Sequence, residues 1–205
     1  MGRAGRPKAS STSDKLVDRR RYDLMEAAYV LVGRKGLEGL RTRDIAAGAG
    51  VNAAMLHYYF GTKEALLVAL VEHTNSKFAA SAAAQTGLRD HFEVTIHTFQ
   101  HTPYLAAVLQ ELALRSQRDE ATRAAMAVQH DRWNELVATL IRSEIEQGRC
   151  RHDVDPRAGA RVITSFILGS MVQLAVSPGA FDFRELAALL ERWLPKPESA
   201  PGASG

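Results

Sequence analysis

The segment 42–67, TRDIAAGAGVNAAMLHYYFGTKEALL, constrains the fold of this chain more than any other feature. It predicts two short helices joined by a tight turn at Gly48–Gly50, followed by the start of a longer helix. Asn52 is the expected N-cap of the second short helix, because its side-chain oxygen can accept hydrogen bonds from backbone N–H groups that lack partners inside the helix. Apolar residues recur at spacings that direct them toward one small core: Ile45, Ala46, Ala49, Val51, Leu56 and Phe60. This is the helix-turn-helix pattern, which presents the N-terminal end of its second helix to the major groove of DNA.

The same segment resembles the signature of the TetR (tetracycline-repressor) family of transcriptional regulators. The matching residues are Ile45-Ala46, Ala49-Gly50-Val51, Leu56, Tyr58, Phe60, Lys63-Glu64 and Leu66. Asn52 stands where Ser or Thr is usual and keeps the capping chemistry. His57 and Tyr59 stand where Tyr and His are more common, so the resemblance implies no particular operator sequence. It does imply an all-α fold of about nine helices, with an N-terminal helix-turn-helix DNA-binding domain and a C-terminal helical domain for ligand binding and dimerisation.

The positive charge of the chain is concentrated at its N-terminal end. Residues 1–63 carry 12 Lys and Arg against 6 Asp and Glu, whereas the remainder carries 14 against 17. A basic surplus on the segment that holds the motif is what phosphate contacts require. The single cysteine, Cys150, excludes an intrachain disulfide and fits a reducing cytoplasm. The apolar stretch 162–176, which ends before Ser177-Pro178-Gly179, is shorter than the roughly twenty residues of a membrane span, so we expect a cytoplasmic protein that makes no membrane contact.

Composition divides the chain into four parts. Residues 1–17 are rich in Gly, Ser, Pro and basic residues and predict a disordered arm. Its Arg6-Pro7 pair fits two roles, insertion into a narrow minor groove or a flexible basic tail. We expect 18–65 to form the DNA-binding domain, 66–194 the helical ligand-binding and dimerisation domain, and 195–205 a disordered tail.

The helix boundaries follow from apolar periodicity and from Gly, Pro and capping residues. We expect Gly36 to end the first helix, Thr42 to cap the second and Thr62 to cap the fourth. Asp155 and Asp182 are further expected starts. The second predicted helix lies between the Thr42 cap and the break at Gly48–Gly50, and the fourth runs from the Thr62 cap toward Phe78. The other predicted helices lie near 18–35, 53–59, 88–101, 103–117, 120–147, 156–177 and 182–194.

The residues predicted to contact DNA follow from their positions in the motif. Arg43 can reach a guanine edge or a phosphate, and the resemblance implies that Lys63 is a phosphate-binding lysine. If Leu56 and Phe60 face the core, then His57 and Tyr58 face outward, whereas Tyr59 fits either core packing or DNA contact. The predicted contact residues are Thr42, Arg43, Asn52, Ala53, Ala54, Met55, His57, Tyr58, Thr62 and Lys63.

The resemblance also implies an effector pocket inside the C-terminal domain, for a small and mainly apolar ligand. The candidate lining is Phe78, His91, Phe92, Thr95, Phe99, Tyr104, Met126, Gln129, His130, Trp133, Phe166 and Met171. His97 and His101 have the spacing of two metal ligands on one helix face. No Cys, Asp or Glu stands at a matching position between them, so we expect no metal site and no cofactor.

The last two predicted helices are the expected dimer interface. The penultimate helix is apolar on nearly all sides, which requires cover on more than one face. The resemblance implies that this helix pair forms a four-helix bundle with a second copy of the chain. The candidate contacts are Ile163, Phe166, Ile167, Ser170, Leu174, Leu186, Leu190 and Trp193.

Together these features predict a homodimeric repressor that binds a palindromic operator through the major groove and that a small, mainly apolar effector releases. An enzyme is the first alternative, but no nucleophile–base set, phosphate-binding glycine loop or paired metal motif supports it. The second alternative is a DNA-binding protein with a filled core, which responds to a partner protein or to no signal.

Overall fold

The computed structural model describes residues 12–82, 87–182, 184, 185, 188 and 189. Over these residues the chain is all-α, as predicted, with no strand and one 3₁₀ turn at Leu37–Gly39. The helices are α1 (Thr12–Lys35), α2 (Thr42–Gly48), α3 (Ala53–Phe60), α4 (Lys63–Ala82), α5 (Leu88–His101), α6 (Leu105–Ser116), α7 (Glu120–Glu146) and α8 (Pro156–Val176). The predicted tail, most of the predicted ninth helix and the first eleven residues of the predicted arm lie outside the described residues.

The first core joins the three N-terminal helices to α4 and α6. Leu24 and Ala28 of α1, Leu70 of α4 and Leu112 of α6 are fully buried in one cluster, which also includes Ile45 of α2. Since each helix contributes only one apolar stripe, the helix-turn-helix is held in place by α1 and α4 rather than by its own short helices.

The second core lies between α5, α7 and α8. Phe92, Ile141, Ile163 and Ile167 are its most deeply buried members. The start of α8 has the predicted cap, because the Asp155 carboxylate accepts hydrogen bonds at 3.2 Å from the backbone N–H groups of Arg157 and Ala158, with Pro156 in the first helical position.

Helix α1 begins six residues before its predicted start at Asp18, so 12–17 are helical and the prediction that they belong to a disordered arm is wrong. Leu16 and Val17 are 57% and 42% exposed, and packing therefore does not define this part of the helix. The apolar periodicity begins only near Leu24, whereas the helix extends backward from that packed region because adding a residue to an existing helix costs little.

The cap predicted for α2 is also wrong. Arg41 occupies the N-cap position without a side-chain hydrogen bond, and Thr42 is the first residue of the helix. The Arg41 carbonyl accepts from the backbone N–H groups of Asp44 at 3.0 Å and Ile45 at 3.1 Å. The backbone itself therefore closes the first turn, and the Thr42 hydroxyl has no capping role.

By length and composition alone, helix α8 is long and apolar enough to cross a membrane. A third of its most apolar stretch is buried inside the structure. One face packs against α7, with Ile163, Ile167 and Ser170 no more than 3% exposed. We predicted these three residues as dimer contacts, and that prediction is wrong because they fill the core of their own chain. Leu174 and Phe166 are half-buried.

The opposite side of α8 is exposed and mainly apolar. We call it the outer face of α8, formed by Val162, Ser165, Phe166, Gly169, Val172, Gln173 and Val176. Val162, Val172 and Val176 are 60%, 48% and 79% exposed, and a Cβ added at Gly169 would meet nothing within 4 Å. The other predicted dimer contacts, Leu186, Leu190 and Trp193, lie outside the described residues.

Candidate DNA-binding surface and effector pocket

The turn between α2 and α3 has the geometry that the sequence predicts. Gly50 has a φ of 67°, a left-handed conformation that side chains disfavour, and the backbone N–H of Val51 donates to the Ala46 carbonyl at 2.9 Å. Asn52 then caps α3, its Oδ1 accepting from the backbone N–H of Ala54 at 2.9 Å. The first backbone N–H groups of α3 thus lie at an exposed helix end.

The inward and outward sides of α3 are also as predicted. Leu56 and Phe60 are 6% and 8% exposed, whereas Tyr58 is 76% exposed and His57 is exposed beside it. Tyr59 packs partly against the first core, so the structure favours core packing over DNA contact for this residue. The exposed side chains of α3 therefore lie on the side of the helix that faces away from the core.

We call this free side, with the adjoining helix ends, the α3 surface. Its exposed members are Arg43, Asn52, Ala54, His57, Tyr58, Thr62 and Lys63, and its half-buried members are Thr42, Ala53 and Met55. Over the described residues, neither Arg43 nor Lys63 forms an ion pair, so both cations are available to phosphates. The structure thus presents all ten predicted contact residues with at least partial exposure.

Helix α4 links this surface to the C-terminal domain. The Thr62 hydroxyl accepts from the backbone N–H of Ala65 at 3.1 Å, which confirms Thr62 as the cap and fixes Lys63 in the first turn. At 1.5 Å per residue, Phe78 lies roughly 22 Å along the helix from Lys63. One rigid element therefore connects a candidate phosphate contact with the interior of the C-terminal domain.

A cavity of about 240 Å³ opens in the C-terminal domain between α4, α5, α6, α7 and α8. The structure brings together eight of the predicted lining residues, Phe78, His91, Thr95, Phe99, Met126, Gln129, His130 and Trp133. Six further residues line the cavity although the sequence did not single them out: Asn75, Val94, Leu109, Arg132, Leu136 and Leu168. Several of these were detectable, since Asn75, Val94 and Leu136 lie three positions from a predicted lining residue on the same helix and therefore share its face.

Four predicted lining residues lie elsewhere. Phe92 is 1% exposed in the second core and Phe166 packs partly against that core, while Met171 lines a separate surface depression. Tyr104 precedes α6 with a φ of 66°, and its hydroxyl accepts from Arg34 Nε at 3.0 Å. Because Phe92 follows His91 directly on α5, its side chain points about 100° around the helix, away from the cavity.

The buried His91 is the most perturbed titratable group in the cavity lining. Trp133 Nε1 donates a hydrogen bond to His91 Nε2 at 3.1 Å, and only 2% of His91 is exposed. Burial lowers the pKa of His91 to about 4, so the ring is neutral at pH 7. With Nε2 accepting, the proton of the neutral ring lies on Nδ1.

A polar cluster attaches α1 to α4 next to the cavity. His73 Nε2 lies 2.8 Å from Glu26 Oε2, and Lys77 forms an ion pair with the same carboxylate. Lys77 Nζ also lies 4.9 Å from the centroid of the Tyr29 ring. We call Glu26, His73 and Lys77 the α1–α4 clasp. Because Phe78 of the cavity lining directly follows Lys77, the clasp joins α1 to α4 next to the cavity.

Two other features that the sequence singles out lie away from the cavity lining. The His97 and His101 rings stack with centroids 4.1 Å apart on the exposed side of α5, and no group of three potential metal ligands occurs over the described residues. Cys150 is buried, and burial raises the pKa of its thiol, which disfavours the reactive thiolate.

Comparison with known proteins gives two consecutive family matches. The model for bacterial regulatory proteins of the tetR family matches residues 24–70, and the model for the C-terminal region of BetI-type transcriptional repressors matches residues 84–196. The HTH-type transcriptional regulator BetI of Agrobacterium fabrum is 31% identical over 132 residues, which are 60% of this chain and 64% of the relative. The HTH-type transcriptional repressor AcnR of Corynebacterium efficiens is 22% identical over 92% of this chain and 98% of its own length.

Solved structures share the fold along most of the chain. A putative TetR-family transcriptional regulator from Rhodococcus sp. has a TM-score of 0.73 and 22% identity, covering 86% of this chain and 96% of that structure. A putative transcriptional regulator from Saccharomonospora viridis in complex with choline has a TM-score of 0.70 and 23% identity, covering 86% and 95%. The multidrug-binding protein EbrR complexed with imidazole has a TM-score of 0.66 and 25% identity, covering 88% and 93%.

Proposed function

This chain belongs to the TetR family of bacterial transcriptional regulators, and from that premise we propose that it is a homodimeric, cytoplasmic repressor released from a palindromic operator by a small, mainly apolar effector. The observation that carries the proposal is the α3 surface. An Asn52-capped helix end is exposed there beside Arg43 and Lys63, two cations that form no ion pair within the described part of the chain. The positive end of a helix dipole, with flanking cations, fits the phosphates and base edges of the major groove.

Small residues at the start of α3 limit direct base contacts. Ala53 and Ala54 offer only methyl groups, and Met55 is half-buried. We therefore assign base contact mainly to Arg43, with His57 and Tyr58 donating to phosphates. The remaining specificity comes from DNA shape, which a protein can detect without touching base edges.

The outer face of α8 supports the homodimer. It is an exposed apolar stripe with a glycine at its centre, where a second helix can approach closely. Val172→Glu should therefore shift the protein from dimer to monomer in sedimentation velocity experiments. Val128→Glu is the matched control, because Val128 of α7 has the same 48% exposure outside this face. A dimer that survives Val172→Glu would place the interface elsewhere.

The cavity and α4 support release by an effector. A ligand in the cavity touches α4 at Asn75 and Phe78. The same helix carries Lys63 in its first turn and, beside the cavity, the two α4 residues of the α1–α4 clasp. Suppose that the ligand binds more tightly when α4 is in a different position from the one it takes on DNA. The ligand then weakens DNA binding by the difference between its binding free energies in the two positions, typically about 1–3 kcal/mol.

Selection of bound fragments from a random DNA pool tests the proposal. We expect an inverted repeat with half-sites about one helical turn apart, since a two-fold dimer presents two α3 helices to the same side of the duplex. Recovery of unrelated sequences at moderate salt, from protein freed of small molecules, would refute operator binding.

A further inference from the structure

We propose that the effector is a small amphipathic anion, a carboxylate with an apolar body, rather than an organic cation such as the choline bound by the Saccharomonospora viridis protein. The inference rests on the proposed function, because it takes the cavity to be the effector site. It concerns the charge of the ligand, which neither the fold nor the family matches specify.

The charge of the cavity lining is the first argument. Of its fourteen described lining residues, Arg132 is the only Lys, Arg, Asp or Glu, so no carboxylate from the described part of the chain lines the cavity. A cation entering this space would lose hydration without gaining a carboxylate, and it would meet Arg132. An anion gains a partner in the same position.

The aromatic side chains of the lining are the second argument, because they supply apolar surface but no formal negative charge. Phe78 and Phe99 contact each other edge to face, with ring centroids 5.4 Å apart, so no ammonium group fits between them. Trp133 directs its indole N–H to His91 rather than into the cavity. His91 is itself 2% exposed, and burial holds its ring neutral, so the deep end of the cavity carries no charge. These rings form an apolar wall that suits the body of the ligand.

The position of Arg132 is the third argument. It is exposed at the opening of the cavity and, over the described residues, forms no ion pair, whereas Arg123 and Arg142 on the same helix pair with Glu120 and Glu135. The carboxylate end of the ligand therefore lies at the opening beside Arg132, where Gln129 and His130 add hydrogen-bonding groups, and the apolar end points toward Phe78 and Trp133.

Isothermal titration calorimetry with three probes of common shape tests this assignment without DNA. The probes share a phenylpropyl body and end in a carboxylate (4-phenylbutanoate), a carboxamide (4-phenylbutanamide) or a trimethylammonium group (trimethyl(3-phenylpropyl)ammonium). We expect the carboxylate to bind at least about tenfold more tightly than the ammonium, with the carboxamide between them. The variant Arg132→Gln should weaken the carboxylate about tenfold and leave the carboxamide unchanged.

The control variant is Arg142→Gln, which removes a half-buried arginine of α7 that pairs with Glu135 and does not line the cavity, and it should leave all three affinities unchanged. Equal or tighter binding of the ammonium, or no binding of the carboxylate at millimolar concentration, would overturn the inference. A protein that selects an inverted repeat but prefers the ammonium would refute the ligand assignment alone. A protein that selects no DNA sequence would refute the proposed function itself.

Discussion

Lys63→Ala gives the sharpest test of how the α3 surface meets DNA. Lys63 lies in the first turn of α4, held there by the Thr62 cap, and its ammonium group forms no ion pair over the described residues. Because the side chain is exposed, its removal should change the free energy of unfolding by no more than about 0.5 kcal/mol. Any larger effect on DNA binding then reports the loss of a phosphate contact.

The salt dependence supplies the magnitude. Each neutralised phosphate contributes about −0.9 to the slope of log K against log salt concentration, and a dimer loses two such contacts. The slope should therefore become shallower by about 1.8. Between 50 and 200 mM salt, the affinity advantage of the unaltered protein over the variant should shrink about tenfold.

Fluorescence anisotropy with a labelled operator, and with an unrelated duplex, measures both quantities. We expect the variant to weaken binding to both duplexes by a similar factor, because phosphates carry no sequence information. Arg157→Ala, which removes an exposed cation at the start of α8, is the control and should leave the slope unchanged. An unaltered slope for Lys63→Ala would show that the start of α4 does not reach the DNA backbone.

Three further predictions concern specificity, packing and pH. Arg43→Ala should relax selection at one position in each half-site, and uniform weakening across all sequences would contradict a base contact. Gly33→Ala should lower the free energy of unfolding by about 1–3 kcal/mol, since its Cβ would lie 2.2 Å from the Cβ of Tyr104; chemical denaturation measures the change. Burial lowers the pKa of His91 to about 4 in the folded protein, whereas the ordinary pKa of histidine is near 6.5. Below pH 6.5 the unfolded chain therefore binds more protons at this residue than the folded chain does. The free energy of unfolding should therefore fall by roughly 3 kcal/mol as the pH drops from above 6.5 toward 4. Chemical denaturation at several pH values measures this decrease, which should be absent from the His91→Gln variant.

Short-range chemistry made the N-terminal part predictable. The Asn52 and Thr62 caps and the glycine turn at Gly50 depend on residues within three positions of one another, so the sequence contains the whole interaction. Two predictions in this region were wrong, the start of α1 and the cap of α2. In both places the helix end is set by helix propagation or by backbone hydrogen bonds, and no side chain marks it in the sequence.

Long-range packing explains what the sequence did not predict. Helix α8 is apolar on two sides, and its composition does not distinguish the side that packs on α7 from the outer face, so Ile163 and Ile167 were predicted on the wrong one. The cavity lining combines residues from five helices, and a surface arginine such as Arg132 belongs to it only because α7 meets the other helices there. Tyr104 was predicted in the cavity, although its contact with Arg34 joins α6 to α1 across seventy positions of sequence.

Hydroxyl-radical footprinting on an operator recovered from the random pool tests most directly whether two α3 helices enter one face of a duplex. The account predicts two protected patches, centred about 10 base pairs apart or a multiple of that distance, with two chains bound per duplex. A single protected patch, or uniform weak protection along the DNA, would contradict it.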